Sequence, residues 1–243
     1  MSFIAPKEQR ALITGASSGI GKATALAFAK AGIHLALVSR SADKLAAVAQ
    51  AASEVGVKAQ VYPLDLAEVD LVKEKISAIA ADFGPIDILI NSAGIAYTNP
   101  IADTSLADWL EILNLNLTSV FQCIQGILPG MRAQGGGTIV NVASVAAKQA
   151  FPNWGAYSVS KAGLMALAKN LSLEERSRGI RVTTIYPGAV DTALWDAKAV
   201  QGDFDRSLML TPEAIAQAIL QLTLMSEQAL IEELILLPNG GNL

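Results

Sequence analysis

Seven short runs rich in β-branched residues and leucine, at 10–14, 34–39, 58–63, 86–91, 137–143, 181–186 and 232–237, alternate with six longer stretches of helical period, many of them alanine-rich, at 19–31, 42–55, 68–83, 106–132, 156–178 and 212–225. This alternation restricts the fold more than any other feature, because strands separated by helices pair in parallel through right-handed crossovers. Runs such as LALV (35–38) and ILIN (88–91) suit strands covered on both faces. The sequence therefore predicts an α/β, Rossmann-type, doubly wound fold: a seven-stranded parallel sheet with helices on both faces. Gly32, Gly56, Gly84 and Gly179 fall between a helical stretch and the next strand, where a left-handed residue closes the helix. Nothing among the 243 residues reads as a linker, so one domain, 1–243, is expected.

Composition removes several functions. Lysine and arginine number 18 against 22 acidic residues, a net charge of −4, and no basic block stands out. Nucleic acid and anionic membrane need clustered positive charge and are not expected as partners. The opening MSFIAPKEQR has no apolar signal core, and the apolar stretch 23–38 is broken by Lys30 and His34, so neither export nor a membrane span is expected and the cytoplasm is the default. A single cysteine, Cys123, gives no disulfide framework, and with a single histidine, His34, no metal site is expected. Both are read as packing residues. The mean hydropathy of +0.40 suggests apolar helical surface buried in a homo-oligomer.

In an open parallel sheet, ligands bind beyond the carboxyl ends of the strands. The first strand ends in Thr14-Gly15-Ala16-Ser17-Ser18-Gly19-Ile20-Gly21, which opens directly into a helix. Three glycines in such a turn let backbone N–H groups approach a pyrophosphate, with the helix dipole favouring its charge. Gly15 to Gly19 also reads as G-x-S-x-G, the nucleophile elbow of a serine hydrolase, but His34 lies far from where a triad places its base. At the end of strand two, Ser39 and Arg40 favour a 2′-phosphate, hence NADP, since an arginine pairs with that group where an aspartate would repel it. Asp65, with Leu66 beside it past strand three, is placed to meet the adenine, although Asp65 suits a helix N-cap equally.

Tyr157 and Lys161 share a helix face at i and i+4. An ammonium beside a phenol stabilises the phenolate and lowers the tyrosine pKa, making it a better proton donor to a carbonyl oxygen. Ser144, past strand five and thirteen residues before Tyr157, is close enough along the chain for its hydroxyl to join the phenol.

With these residues assembled, the chain resembles the short-chain dehydrogenase/reductase family from Thr14 through Thr192. The family's glycine motif matches at Gly15, Gly19 and Gly21, its Asn-Asn-Ala-Gly appears as Asn91-Ser92-Ala93-Gly94, and its catalytic Asn, Ser, Tyr and Lys match Asn116, Ser144, Tyr157 and Lys161. Its Pro-Gly after strand six matches Pro187-Gly188, followed by Val190 and Thr192. The resemblance implies a nicotinamide-dependent oxidoreductase using NADPH/NADP+, in which Tyr157 donates the proton, Ser144 holds the carbonyl oxygen, Lys161 tunes Tyr157 and grips the ribose, and Asn116 anchors a proton-relaying water. It places Gly15, Ser17, Ser18, Gly19, Ile20, Gly21, Ser39, Arg40, Asp65, Leu66, Asn91, Ala93, Gly94, Pro187, Gly188, Val190 and Thr192, with Tyr157 and Lys161, around the cofactor. It also implies a homotetramer, or a dimer, built through the helices at 106–132 and 156–178.

The loop 191–211 is expected to cover the substrate with Leu194, Trp195, Phe204, Leu208 and Met209; its four carboxylates against two cations disfavour a strongly anionic one. A broad reductase of free hydrophobic ketones and aldehydes is the expected activity. A 3-oxoacyl-[acyl-carrier-protein] reductase is the alternative, with Arg132 and Arg178 at helix ends where an acidic acyl carrier protein could dock. A dinucleotide-binding sensor without turnover is the non-enzyme alternative, against which the full Asn, Ser, Tyr and Lys set speaks.

Overall fold

The computed structural model describes residues 8–202, 205–226 and 228–240. Seven strands, β1 (Arg10–Thr14), β2 (His34–Ser39), β3 (Ala59–Pro63), β4 (Ile88–Asn91), β5 (Gly137–Val142), β6 (Ile180–Pro187) and β7 (Glu233–Leu236), form one parallel sheet in the order 3-2-1-4-5-6-7. The order reverses between β1 and β4, so a crevice opens at their carboxyl ends. Helices α1 (Gly19–Lys30), α2 (Ala42–Ser53) and α7 (Pro212–Thr223) share one apolar layer with the sheet. Helices α3 (Val69–Phe83), α5 (Ser119–Gln134) and α6 (Gly155–Glu175) share the other. Both faces of the central strands are therefore dry, as their unbroken apolar runs require. No helix among the described residues is long and apolar enough to cross a membrane.

The long helix expected over 106–132 is interrupted. Helix α4 (Leu106–Leu113) gives way to a π-helical turn, Asn114–Thr118, before α5 resumes. A widened turn inserts residues into the helical ladder and re-aims their side chains. Here it buries Asn116, whose amide accepts from Ile95 N and donates to Ile95 O, each at 2.9 Å, and donates to Ser160 Oγ at 3.1 Å. Periodicity could not reveal this, because the apolar spacing on either side remains helical.

His34 also departs from expectation. It is no core residue: its Nδ1 accepts a hydrogen bond from Lys58 N at 3.0 Å, and its Nε2 lies 3.6 Å from Glu8, so it fastens β2 to the start of β3. Cys123 is buried as expected, and burial pushes its thiol up to about 12. Gly179, at φ +75°, turns the chain from α6 into β6.

Arg132 and Arg178 do not stand free at their helix ends. Both guanidinium groups bind Glu175, a carboxylate only 1% exposed: Arg132 Nε at 2.9 Å with a second nitrogen on the other oxygen, and Arg178 at 3.0 Å. Hydrogen bonding to Arg132 chiefly holds the Glu175 carboxyl below its usual range, so this contribution is present above pH 4.5 and lost as pH falls through the lowered value. Arg132→Met is expected to lower the thermal midpoint by about 5 °C at neutral pH. In thermal scans the gap to wild type narrows below pH 4.5; a constant gap would contradict the assignment.

Candidate active site

The crevice begins at the turn between β1 and α1. Gly15 has φ +67°, and a Cβ there would stand 2.9 Å from the backbone of Ala93; a Cβ on Gly21 would meet Gly15 O at 2.3 Å. Only glycine permits this approach of turn, helix and β4 terminus. Ser18, the N-cap of α1, makes no capping bond through its side chain, so the first backbone donors of the helix are left for a ligand. At the end of β2, the Ser39 hydroxyl is buried without a partner beside the exposed Arg40. A phosphate-bearing dinucleotide fits these donors and this open backbone.

The other expected cofactor residues divide into three groups. Thr14 Oγ1 donates to Ile90 O at 3.3 Å and accepts from Ser92 N and Ala93 N at 3.1 and 3.2 Å, which fixes the segment holding Asn91, Ala93 and Gly94 beside the turn. Ile20, Pro187, Gly188, Val190 and Thr192 line the main cavity. Asp65 caps a local turn through Ala67 N at 3.0 Å rather than helix α3, and Leu66 is a core side chain.

Ser144 ends the chain's run out of β5 and caps a short 3-10 turn by accepting from Ala146 N at 3.1 Å. Ser144 and Tyr157 both face the cavity, which measures about 370 Å³. Burial pushes the Tyr157 phenol up to about 12, while a hydrogen bond with Ser144 acts in the opposite sense. Lys161 is buried too, and desolvation pulls it down to about 8. The expected tyrosine–lysine effect is therefore not the one present. Lys161 Nζ donates to Val142 O at 3.1 Å and sits 5.7 Å from the Tyr157 ring centre, so burial, not the ammonium, dominates the phenol. Both Asn116 amide hydrogens are committed to Ile95 and Ser160, which makes Asn116 a brace between the β4 loop and α6.

The far wall is aromatic. Trp154 meets Tyr157 edge-on at 5.3 Å and Trp195 at 5.8 Å, with Phe151, Leu194, Leu208 and Met209 completing an apolar lining. Asp205 is the one carboxylate among the lining residues. Phe204 and Asp203 lie outside the described residues. Trp195 is pinned by donating to Val190 O at 2.8 Å. Arg206 binds Asp191, Asp196 and Thr192 O, and the middle of the segment is tied to the loop after β4: Thr98 N donates to Ala199 O at 2.8 Å and Gln201 N to Thr98 Oγ1 at 2.7 Å. Phe151 and Trp154 were not singled out from sequence; two aromatic residues in the 144–155 loop of a chain only 5% aromatic were the available signal.

Residues 9–201 match the profile of the short chain dehydrogenase family. The chain belongs to that family. D-threitol dehydrogenase from Mycolicibacterium smegmatis is 40% identical over 218 residues, covering 86% of this chain and 83% of that one. Glycine betaine reductase ATRR from Emericella nidulans is 34% identical over 234 residues; the match takes in 94% of this chain but only 18% of that much longer protein. Among solved structures, the alcohol dehydrogenase from the archaeon Thermococcus sibiricus complexed with 5-hydroxy-NADP superposes with a TM-score of 0.86 at 30% identity, covering 95% and 96% of the two chains. These short chain dehydrogenase relatives bear different substrate names, so membership shows an oxidoreductase family and names no substrate.

The two perturbed groups oppose each other in pH dependence. A lysine whose folded pKa is lowered destabilises the fold while charged, and that penalty is relieved as pH rises from about 8 toward 10.5. A phenol raised to about 12 adds stability that is lost as pH rises from its ordinary value through 12. Lys161→Met is therefore expected to be more stable than wild type at pH 7, with the advantage shrinking by pH 10. Urea denaturation at both pH values tests this, and an advantage that grows with pH would refute it.

Proposed function

We propose that the chain is an NADPH-dependent carbonyl reductase acting on free hydrophobic ketones or aldehydes. The observation that carries the reading is the meeting of Ser144 and Tyr157 on one wall of a mainly apolar cavity, with Lys161 buried behind them. Gly15, Ser17, Ser18, Gly19, Ile20 and Gly21 would hold the pyrophosphate, and Asn91, Ala93, Gly94, Pro187, Gly188, Val190 and Thr192 the nicotinamide half. Hydride to the carbonyl carbon is the chemistry the dinucleotide supplies when bound.

The remaining steps belong to the chain's own side chains. With its pKa near 12, Tyr157 is a protonated phenol at neutral pH, the form needed to donate to a carbonyl oxygen as charge develops there. Ser144 would hydrogen-bond the same oxygen and hold the carbonyl near attack geometry. Lys161, near 8, lies close enough to working pH to return a proton to the tyrosine. The aromatic and aliphatic wall excludes water and favours an apolar substituent. Engagement of Arg132 and Arg178 by Glu175 weakens the carrier-protein alternative.

NADP preference is supported by the exposed Arg40 beside the unpartnered Ser39 hydroxyl, and by the NADP derivative named for the archaeal relative. Exposed Leu110, Phe121 and Val159 on α4, α5 and α6 support a homotetramer closed through those helices. Sedimentation at micromolar concentration should therefore give a tetramer, and a monomer would end that reading.

Two substitutions test the chemistry, read by consumption of reduced nicotinamide with a panel of ketones, aldehydes and an acetoacetyl thioester. Tyr157→Phe should lose at least about 100-fold in kcat while retaining NADPH affinity; an unchanged rate would favour the sensor. Arg40→Asp should weaken NADPH binding roughly tenfold or more and spare NADH; equal losses would remove Arg40 from the 2′-phosphate site.

A further inference from the structure

Ser144 comes from the loop after β5, Tyr157 and Lys161 from α6, and Pro187 with Gly188 from the end of β6. These three segments meet a second time, outside the cavity lining, at the carboxylate of Glu233 on β7. Lys148, four residues past Ser144, donates its Nζ to Glu233 Oε2 at 2.7 Å. Lys169, two turns beyond Lys161 on α6, places its Nζ 3.0 Å from Oε1. Tyr186, the residue before Pro187, is fully buried and donates its hydroxyl to Oε1 at 3.0 Å. Lys148 Nζ also lies 4.3 Å over the Tyr186 ring, so loop and strand are joined twice.

We propose that Glu233 is a positioning residue, holding the Ser144 loop, helix α6 and the end of β6 in the mutual arrangement that carbonyl reduction requires. This rests on the reading of the site given above. A carboxylate has acceptor sites enough for two ammonium groups and a phenol, whereas without it Lys148 and Lys169 repel each other. The neighbouring Glu232 binds Arg176 and does not replace it. Hydrogen bonding to Lys148 above all pulls the Glu233 carboxyl down to about 2, so the tether is charged across any working pH and is not a switch. Lys148 and Glu233 are each about 30% exposed and share the carboxylate with Lys169 and Tyr186, so variants of either are compared at temperatures well below the midpoint of each. The tether's effect is local, on where Ser144 stands, and small misplacements of a catalytic group cost large factors in rate.

The test compares wild type with Glu233→Gln, Glu233→Asp, Lys148→Met and the Lys148→Met/Glu233→Gln double variant. The expected result is a kcat for ketone reduction about tenfold lower in Glu233→Gln, with KM for NADPH within about twofold of wild type. Glu233→Asp recovers part of the rate, Lys148→Met reproduces the loss, and the double variant loses little more. Burial raises the Tyr157 pKa and the hydrogen bond with Ser144 offsets part of that rise, with Lys161 beside the phenol and Asp205 in the same cavity lining, so the pH profile of alcohol oxidation should move to higher pH in the impaired variants.

Amide exchange gives a readout that needs no turnover. Ala146 N is bonded to Ser144 Oγ and Ala147 N to Ser144 O, so both amides should exchange faster in Glu233→Gln and Lys148→Met. Unchanged exchange, with kcat within about twofold of wild type in both variants, would overturn the tether and leave the proposed activity intact. Faster exchange in a protein whose Tyr157→Phe variant is as active as wild type would leave the tether standing and remove the proposed activity instead.

Discussion

Where the strand order reverses, one hydroxyl extends the backbone pairing of β1 and β4 into the segment beyond them. Thr14, the last residue of β1, donates to β4 and accepts two backbone N–H groups from the segment that follows it. The termini of β1 and β4 would otherwise diverge, since their onward chains run to opposite faces. Held at this distance, Ala93 leaves no room for a side chain at Gly15, and Gly15 in turn leaves none at Gly21. The glycine turn is thus the consequence of a junction closed from β4 as much as of a ligand's demand for open backbone.

The same economy of bracing recurs along the crevice. Asn116 ties the loop after β4 to α6 through Ile95 and Ser160, and Lys161 ties α6 to the end of β5 through Val142 O. Each polar contact is made in a dry environment, where an unpaired partner is costly and the geometry is correspondingly unforgiving. The π-helical turn at Asn114–Thr118 is what lets a residue of a packed helix act as such a brace.

The parallel sheet and its helices were legible because alternation and apolar runs report directly on burial from two sides. Tyr157, Lys161 and Ser144 were legible from spacing, but their electrostatics were not. Helical spacing puts an ammonium near a phenol, whereas desolvation, which depends on everything packed around both, sets the sign of their shifts. Arg132 and Arg178 misled for a related reason, since nothing local marks Glu175 as buried and shared between them. His34 was read simply as a packing residue, because a lone histidine at a strand start offers no sign of the Lys58 N–H that its ring accepts.

Among the described residues of the 191–211 segment, Arg206 is bound to Asp191 and Asp196, while Ala199 and Gln201 are bound to Thr98. Backbone held by such contacts before a ligand arrives has less conformational freedom to lose on binding. Affinity then follows the fit between a ligand and a fixed aromatic wall. Under the activity proposed above, a wall set in this way would select substrates by outline more than by functional group.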